Sequence, residues 1–142
     1  MTKIAIVYWS GSGNTEKMAR AIEEGIHQAG RETEVFQVSD FAAQQINQYD
    51  KIVFGCPSMG CEVLEETEFE PLFQELEPVL QDKQVALFGS YGWGDGEWMR
   101  NWQVRVRKAG AELFEKGLII NGAPDQAGEE ICRAFGERFA KQ

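Results

Sequence analysis

Histidine is all but absent from this 142-residue chain, and cysteine is scarce, with one His and three Cys. His27 stands alone in an amphipathic stretch, away from Cys56, Cys61 and Cys132, so no group with metal-ligand spacing forms. An odd number of cysteines also argues against a disulfide framework, and reduced thiols are expected. Long apolar runs are missing too. Nothing approaches the ~20 consecutive apolar residues of a membrane-spanning helix. The opening Met-Thr-Lys passes at once into a short strand pattern, so a soluble, cytoplasmic protein is expected. Basic residues are in deficit, 14 Lys and Arg against 23 Asp and Glu, giving a net charge of -9. That sign is wrong for nucleic acid or an anionic membrane, and it suits partner proteins with basic surfaces. No repeat, low-complexity tract or linker interrupts the chain. Its length fits one domain over residues 1–142, expected to be a monomer, that buries roughly two thirds of its unfolded surface.

What is present is an alternation of strands and helices. Lys3 to Trp9 and Lys51 to Cys56 are continuous apolar runs of the kind buried on both faces, Thr33 to Val38 alternates in strand fashion, and Gln84 to Gly89 is a further buried strand. A fifth strand is expected over Glu112 to Asn121, interrupted near Gly117. Helical patterns cover Glu16 to Ala29, Glu66 to Leu80, Glu97 to Ala109 and Pro124 to Ala140, with a short helical turn from Ser39-Asp40 to about Tyr49. Five strands alternating with helices predict an α/β fold, a doubly wound five-stranded parallel sheet in the order 2-1-3-4-5. Ligands of such sheets bind beyond the carboxyl ends of the strands, where the order reverses. Three loops leave those ends: Ser10 to Thr15, Pro57 to Leu64 and Ser90 to Gly96.

The first loop, Ser10-Gly11-Ser12-Gly13-Asn14-Thr15, joins a strand to a helix start. Small residues let the backbone wrap around an anion, the helix N-terminus adds its partial positive charge, and three hydroxyls add donors. It contains no Lys or Arg, and it matches neither the dinucleotide fingerprint nor the triphosphate loop, so a mononucleotide phosphate fits it best. An ordinary turn with Ser or Asn as the helix cap is the alternative. The third loop, Ser90-Tyr91-Gly92-Trp93-Gly94-Asp95-Gly96, alternates glycine with aromatics. There Trp93 can cover a planar ring while the glycine backbone donates to the ring's polar edge. Within Pro57-Ser58-Met59-Gly60-Cys61-Glu62, Met59 can pack on the opposite face, and the Glu62 carboxylate can accept from a ring N–H. Trp98 and Trp102, four apart in a helical pattern, read as core, as does Cys56.

The segments YWSGSGNTEKMA, GCPSMGCEVLEETEFEP and ALFGSYGWGDGEWMR resemble the short-chain flavodoxins, in particular those of anaerobic bacteria, in register along essentially the whole chain. The resemblance implies a flavodoxin-like fold and non-covalent flavin mononucleotide (FMN), its phosphate held by Ser10, Gly11, Ser12, Gly13, Asn14 and Thr15. By the same resemblance the isoalloxazine lies between Met59 and Trp93, with the backbones of Gly92 and Gly94 at the pyrimidine edge. Glu62 accepts from the ring N3–H, and the Gly60-Cys61 peptide faces N5, its Gly60 carbonyl swinging round on reduction; Pro57, Ser58, Ser90 and Tyr91 complete the binding loops. Cys61 departs from the small polar or acidic residue expected there. The implied function is a low-potential one-electron carrier moving between semiquinone and hydroquinone, and not an enzyme. Carboxylates at Glu62, Glu65, Glu66, Asp95 and Glu97 would lower the potential, by ~20 mV for each one about 10 Å away in a water-like dielectric. A quinone or nitro reductase of the same fold, taking hydride from a nicotinamide, is the alternative; a flavin-free phosphate-binding module would need an Asp at a strand end, where Trp9, Cys56 and Gly89 stand.

Overall fold

Apolar residues on successive positions of a strand must bury both of its faces, and the sheet is built that way. In the computed structural model, which describes residues 3–142, β1 (Ile4–Tyr8), β3 (Lys51–Gly55) and β4 (Gln84–Tyr91) lie at its centre. Along β1, Ile4, Ile6 and Tyr8 join the core on one side, while Ala5 and Val7 join the core on the other. The first side is covered by α1 (Asn14–Gln28) and α4 (Gln126–Ala140), whose Met18, Ile22, Phe135 and Phe139 are buried. The second is covered by α2 (Phe69–Leu76) and α3 (Glu97–Lys108), where Phe54, Phe69, Phe73 and Trp102 pack edge to face.

All strands pair in parallel in the order β2-β1-β3-β4-β5, as expected, with β2 being Thr33–Gln37. The last strand is split: β5 (Glu112–Leu113) pairs with the start of β4 and β6 (Leu118–Asn121) with its end. The interruption falls near Gly117, as expected, and the Gly117 N–H donates to the Gln103 side-chain oxygen at 2.6 Å. Several boundaries differ from the sequence pattern, most of all in two places. The helix expected from Glu66 begins at Phe69 and closes with a 3-10 turn, Glu77–Val79. Between β2 and β3 the chain makes two 3-10 turns, Val38–Asp40 and Ala43–Gln48; neither carries a Ser39 or Asp40 cap.

The two helices α1 and α4 cross at touching distance through a pair of glycines. A Cβ on Gly25 would lie 1.9 Å from the Arg133 carbonyl oxygen, and one on Gly136 would lie 2.2 Å from that of Ile22. Trp98 and Trp102 are in the core as expected, and Trp98 Nε1 donates to the Cys56 carbonyl at 3.1 Å. Among the described residues no helix is long and apolar enough to cross a membrane.

Candidate functional site

Three loops rise from the carboxyl ends of β1, β3 and β4, and a cavity of about 350 Å³ opens between them. Its lining is Trp9, Gly11, Ser12 and Asn14 from the first loop, Pro57, Ser58 and Met59 from the second, Ser90, Tyr91 and Gly92 from the third, and Gly122. That size lies within the ~300–1,000 Å³ of small-molecule sites. Sequence reasoning missed Trp9 and Gly122. Trp9 ends the β1 run and Gly122 follows β6, so the same rule that selected the other loops, proximity to a strand's carboxyl end, could have found both. The Gly122 N–H donates to the Tyr91 carbonyl at 2.8 Å, which draws this fourth loop against the third.

In the first loop Gly13 takes a left-handed conformation, φ 99°, immediately before α1, and no side chain caps the helix from that position. The Ser10 hydroxyl does the capping instead, accepting from the N–H groups of Gly13 and Glu16 at 3.2 Å each. The Gly13 N–H, one of the loop donors expected to face an anion, and the Glu16 N–H just beyond the loop are thus held by Ser10. A Cβ on Gly11 would sit 2.9 Å from the far edge of the Trp9 ring, so a side chain there requires the Trp9 ring to shift. Thr15 is buried, its hydroxyl 3.0 Å from that of Ser90. No Lys or Arg lines the cavity.

The second loop is a closed turn. Met59 and Val63 exchange N–H···O bonds at 2.9 and 3.0 Å, with Gly60 at φ 49° and Glu62 at φ 55° between them. Glu62, expected to accept from a ring N–H, is not among the cavity-lining residues. Its carboxylate accepts from the N–H groups of Gly96 and Glu97, at 3.1 and 3.0 Å, and so caps the N-terminus of α3. Gly94 has to be glycine for this, since at φ 88° its Cβ would lie 2.4 Å from the Glu62 carboxyl carbon.

Both ends of the second loop are pinned. The buried Cys56 thiol accepts the Glu65 N–H at 3.3 Å, and burial pushes that thiol far above its ordinary pKa, so it stays protonated. Glu65, expected among the carboxylates that lower the potential, is only 5 % exposed. One of its oxygens accepts from the N–H and hydroxyl of Thr67, the other from the N–H groups of Glu68 and Phe69, both at 2.8 Å. Burial alone would raise the Glu65 pKa, but these donors outweigh it and hold the carboxyl below the ordinary glutamate value. This cap is why α2 starts at Phe69. Cys61 is exposed and all three cysteines are free thiols. Among the described residues no group of His, Cys, Asp and Glu is placed to hold a metal ion.

In the third loop, Ser90 and Tyr91 still belong to β4, which runs two residues past the expected Gly89 end. Trp93 is 63 % exposed at the rim, and neither it nor Glu62, Gly60, Cys61 or Gly94 is among the cavity-lining residues. The structure therefore brings three of the six phosphate-side candidates, Gly11, Ser12 and Asn14, to the cavity with Pro57, Ser58, Met59, Ser90, Tyr91 and Gly92, while Ser10, Gly13 and Thr15 are not among its lining and Trp93 is exposed.

Against known proteins, the chain matches the family model described as Flavodoxin over residues 6–136. It is 47% identical over 135 residues to a flavodoxin of Clostridium beijerinckii, covering 95% of this chain and 97% of that one. It is 46% identical over 138 residues to a flavodoxin of Megasphaera elsdenii, covering 97% and 98% respectively. The solution structure of the two-electron reduced Megasphaera elsdenii flavodoxin is similar with a TM-score of 0.90, at 45% identity over 98% of this chain and 99% of that one.

Proposed function

The chain belongs to the flavodoxin family, FMN-containing electron carriers and not enzymes, and from that premise we propose which of its residues hold the flavin and what they contribute. FMN supplies the one-electron chemistry; the protein supplies binding, orientation and the electrostatic setting of the potential. The observation that carries this reading is the cavity itself: flavin-sized, open at the sheet's carboxyl edge, hydroxyl-rich at the N-terminus of α1, and lined by Trp9, Met59 and Tyr91 elsewhere.

The phosphate end belongs to the loop from Ser10 to Thr15 with Ser58 and Ser90, all neutral donors around a helix N-terminus. Ser10 acts by shaping that loop, because its hydroxyl already accepts from Gly13 and Glu16. Pro57, Met59 and Tyr91 line the apolar body of the pocket, and the exposed Trp93 closes over the ring once it is present. Gly92 and Gly94 bring backbone to the ring's polar edge, and the Gly60-Cys61 peptide offers a carbonyl and an N–H toward N5. Glu62 reaches the ring N3–H only from its place at the N-terminus of α3, so it serves both as a cap and as an acceptor.

As an electron carrier the protein works with redox partner proteins, and we propose that these dock on the rim of the site through basic surfaces. Glu66, Glu68, Asp95 and Glu97 are exposed around the second and third loops and supply the opposing charge. The protein acts as a single-domain cytoplasmic monomer in this proposal. Stepwise reduction of the purified protein, followed by its absorbance spectrum, is expected to resolve two one-electron steps. Steady oxidation of NADH by the pure protein, with no added reductase, would instead show the reductase reading to be correct.

A further inference from the structure

Two tryptophans one turn apart on α3 are each 1 % exposed, and burying an indole calls for an acceptor for its N–H. Trp98 Nε1 has one, the Cys56 carbonyl at 3.1 Å. Trp102 Nε1 is fully buried and finds no acceptor among the described residues. The rings of Phe69 and Phe73 meet Trp102 edge to face and offer no lone pair. A buried N–H left in that condition is costly, and folded proteins satisfy it with ordered water wherever a polar space adjoins it.

Such a space is present. A second cavity, of about 100 Å³, lies on the α2–α3 side of the second loop, between residues 62–64 of that loop, Glu70 of α2, and Trp98, Asn101, Trp102 and Arg105 of α3. At ~30 Å³ for each molecule it has room for roughly three waters. The charges of its wall decide what it admits. Arg105 donates to both oxygens of Glu70, at 2.7 Å each, and to both oxygens of Glu77, at 3.1 and 2.8 Å. Its guanidinium is therefore committed, and an anion would face the carboxylates of Glu62 and Glu70 instead. A cation would meet the positive end of the Trp102 N–H. What fits is a small neutral molecule that accepts one hydrogen bond and donates others. The side-chain oxygens of Glu62 and Asn101 belong to residues of the same wall and can take its protons.

We propose that this cavity is a hydration site, in which a long-lived water accepts from Trp102 Nε1, donates to the wall, and so holds the second loop against α3. The proposal is independent of what fills the larger cavity.

Nitrogen-15-labelled protein with its flavin bound, as the wild type and as Trp102→Phe, tests it. The indole resonance lost in Trp102→Phe identifies Trp102, and in the wild type its Nε1 proton is expected to show a direct Overhauser cross-peak to water with the sign of a bound molecule. The Val63 N–H, which donates to the Met59 carbonyl at 3.0 Å, reports opening of the second loop by its exchange with deuterium. Its exchange is expected to be about 3- to 10-fold faster in Trp102→Phe, as loss of one hydrogen-bonded link allows, with the core amides of β1 changed less. An indole proton without a water cross-peak and shifted upfield by a ring current would place the N–H on the face of Phe69 or Phe73 and overturn the site. Xenon binding in this cavity would overturn it as well, since that marks a dry apolar space. Val63 exchange that is unchanged in Trp102→Phe, or that rises only as much as that of the β1 amides, would overturn the holding of the loop.

Discussion

Replacing Glu65 by Gln keeps shape and volume while removing one of two carboxylate oxygens, each of which accepts two hydrogen bonds. With the amide nitrogen toward Glu68 and Phe69, two N–H donors lose their acceptor; turned the other way it leaves the Thr67 N–H unpaired, while the Thr67 hydroxyl can rotate to accept from it. Leaving such a donor buried and unpaired costs about 1–3 kcal/mol, and loss of the negative charge beside the helix N-terminus adds ~0.3–1 kcal/mol. Part of the first cost is relieved by water at Thr67 and Glu68, which are exposed. A loss of roughly 2–4 kcal/mol is therefore expected near neutral pH. The pH dependence has a definite sign. The folded-state pKa of Glu65 is depressed, so its contribution is fully present above the unfolded glutamate pKa and is lost as pH falls through the depressed folded value. The gap between wild type and Glu65→Gln should thus be constant from about pH 7 to 6 and close below the ordinary glutamate range near pH 4. Urea unfolding of both apoproteins at a series of pH values measures it without interference from flavin binding. A gap under about 0.5 kcal/mol at neutral pH, or one that does not change on acidification, would refute the assignment of Glu65 as a buried, ionised cap.

Gly136→Ala should destabilise the apoprotein by about 1–3 kcal/mol or more, because its Cβ would stand 2.2 Å from a backbone oxygen that no rotamer can move; an unchanged urea midpoint would mean that α1 and α4 do not cross at contact. Gly60→Ala adds no clash, yet at φ 49° it strains the turn by about 1–2 kcal/mol, and a changed peptide preference should lower the first reduction potential by ~40–80 mV. A redox titration with unchanged potentials would place the N5 partner elsewhere. Trp93→Ala should weaken FMN binding by roughly 0.5–1.5 kcal/mol and raise the lower potential, as water reaches the anionic reduced ring; a lower potential in that variant would contradict the covering role. Electron transfer to a basic partner at limiting concentration should slow as salt rises, and Glu66→Gln with Asp95→Asn should flatten that slope. Rates indifferent to ionic strength would leave the acidic rim with no part in docking.

The strands, their parallel order and a cavity at the carboxyl edge of the sheet were legible in the sequence, because each depends on local pattern. Both-face burial reads as an uninterrupted apolar run in β1, β3 and β4, a βαβ alternation forces a parallel sheet, and glycine-rich loops after strands mark the crevice where the strand order reverses. The partners of polar side chains were not legible. Glu65 and Glu66 are adjacent carboxylates with the same sequence character, yet one is buried under four donors and the other is exposed. Glu62 and the N-terminus of α3 are 34 and 35 residues apart, and Thr15 and Ser90 are 75 apart. Periodicity reports which face of an element is covered; it carries no information on which distant group supplies the hydrogen bond there. Only the assembled sheet, which brings the carboxyl ends of β1, β3, β4 and β6 to one edge, decides that Trp9 and Gly122 share a wall and that Ser90 lies beneath α1, since those distances are set by packing between elements and not by any single stretch of chain.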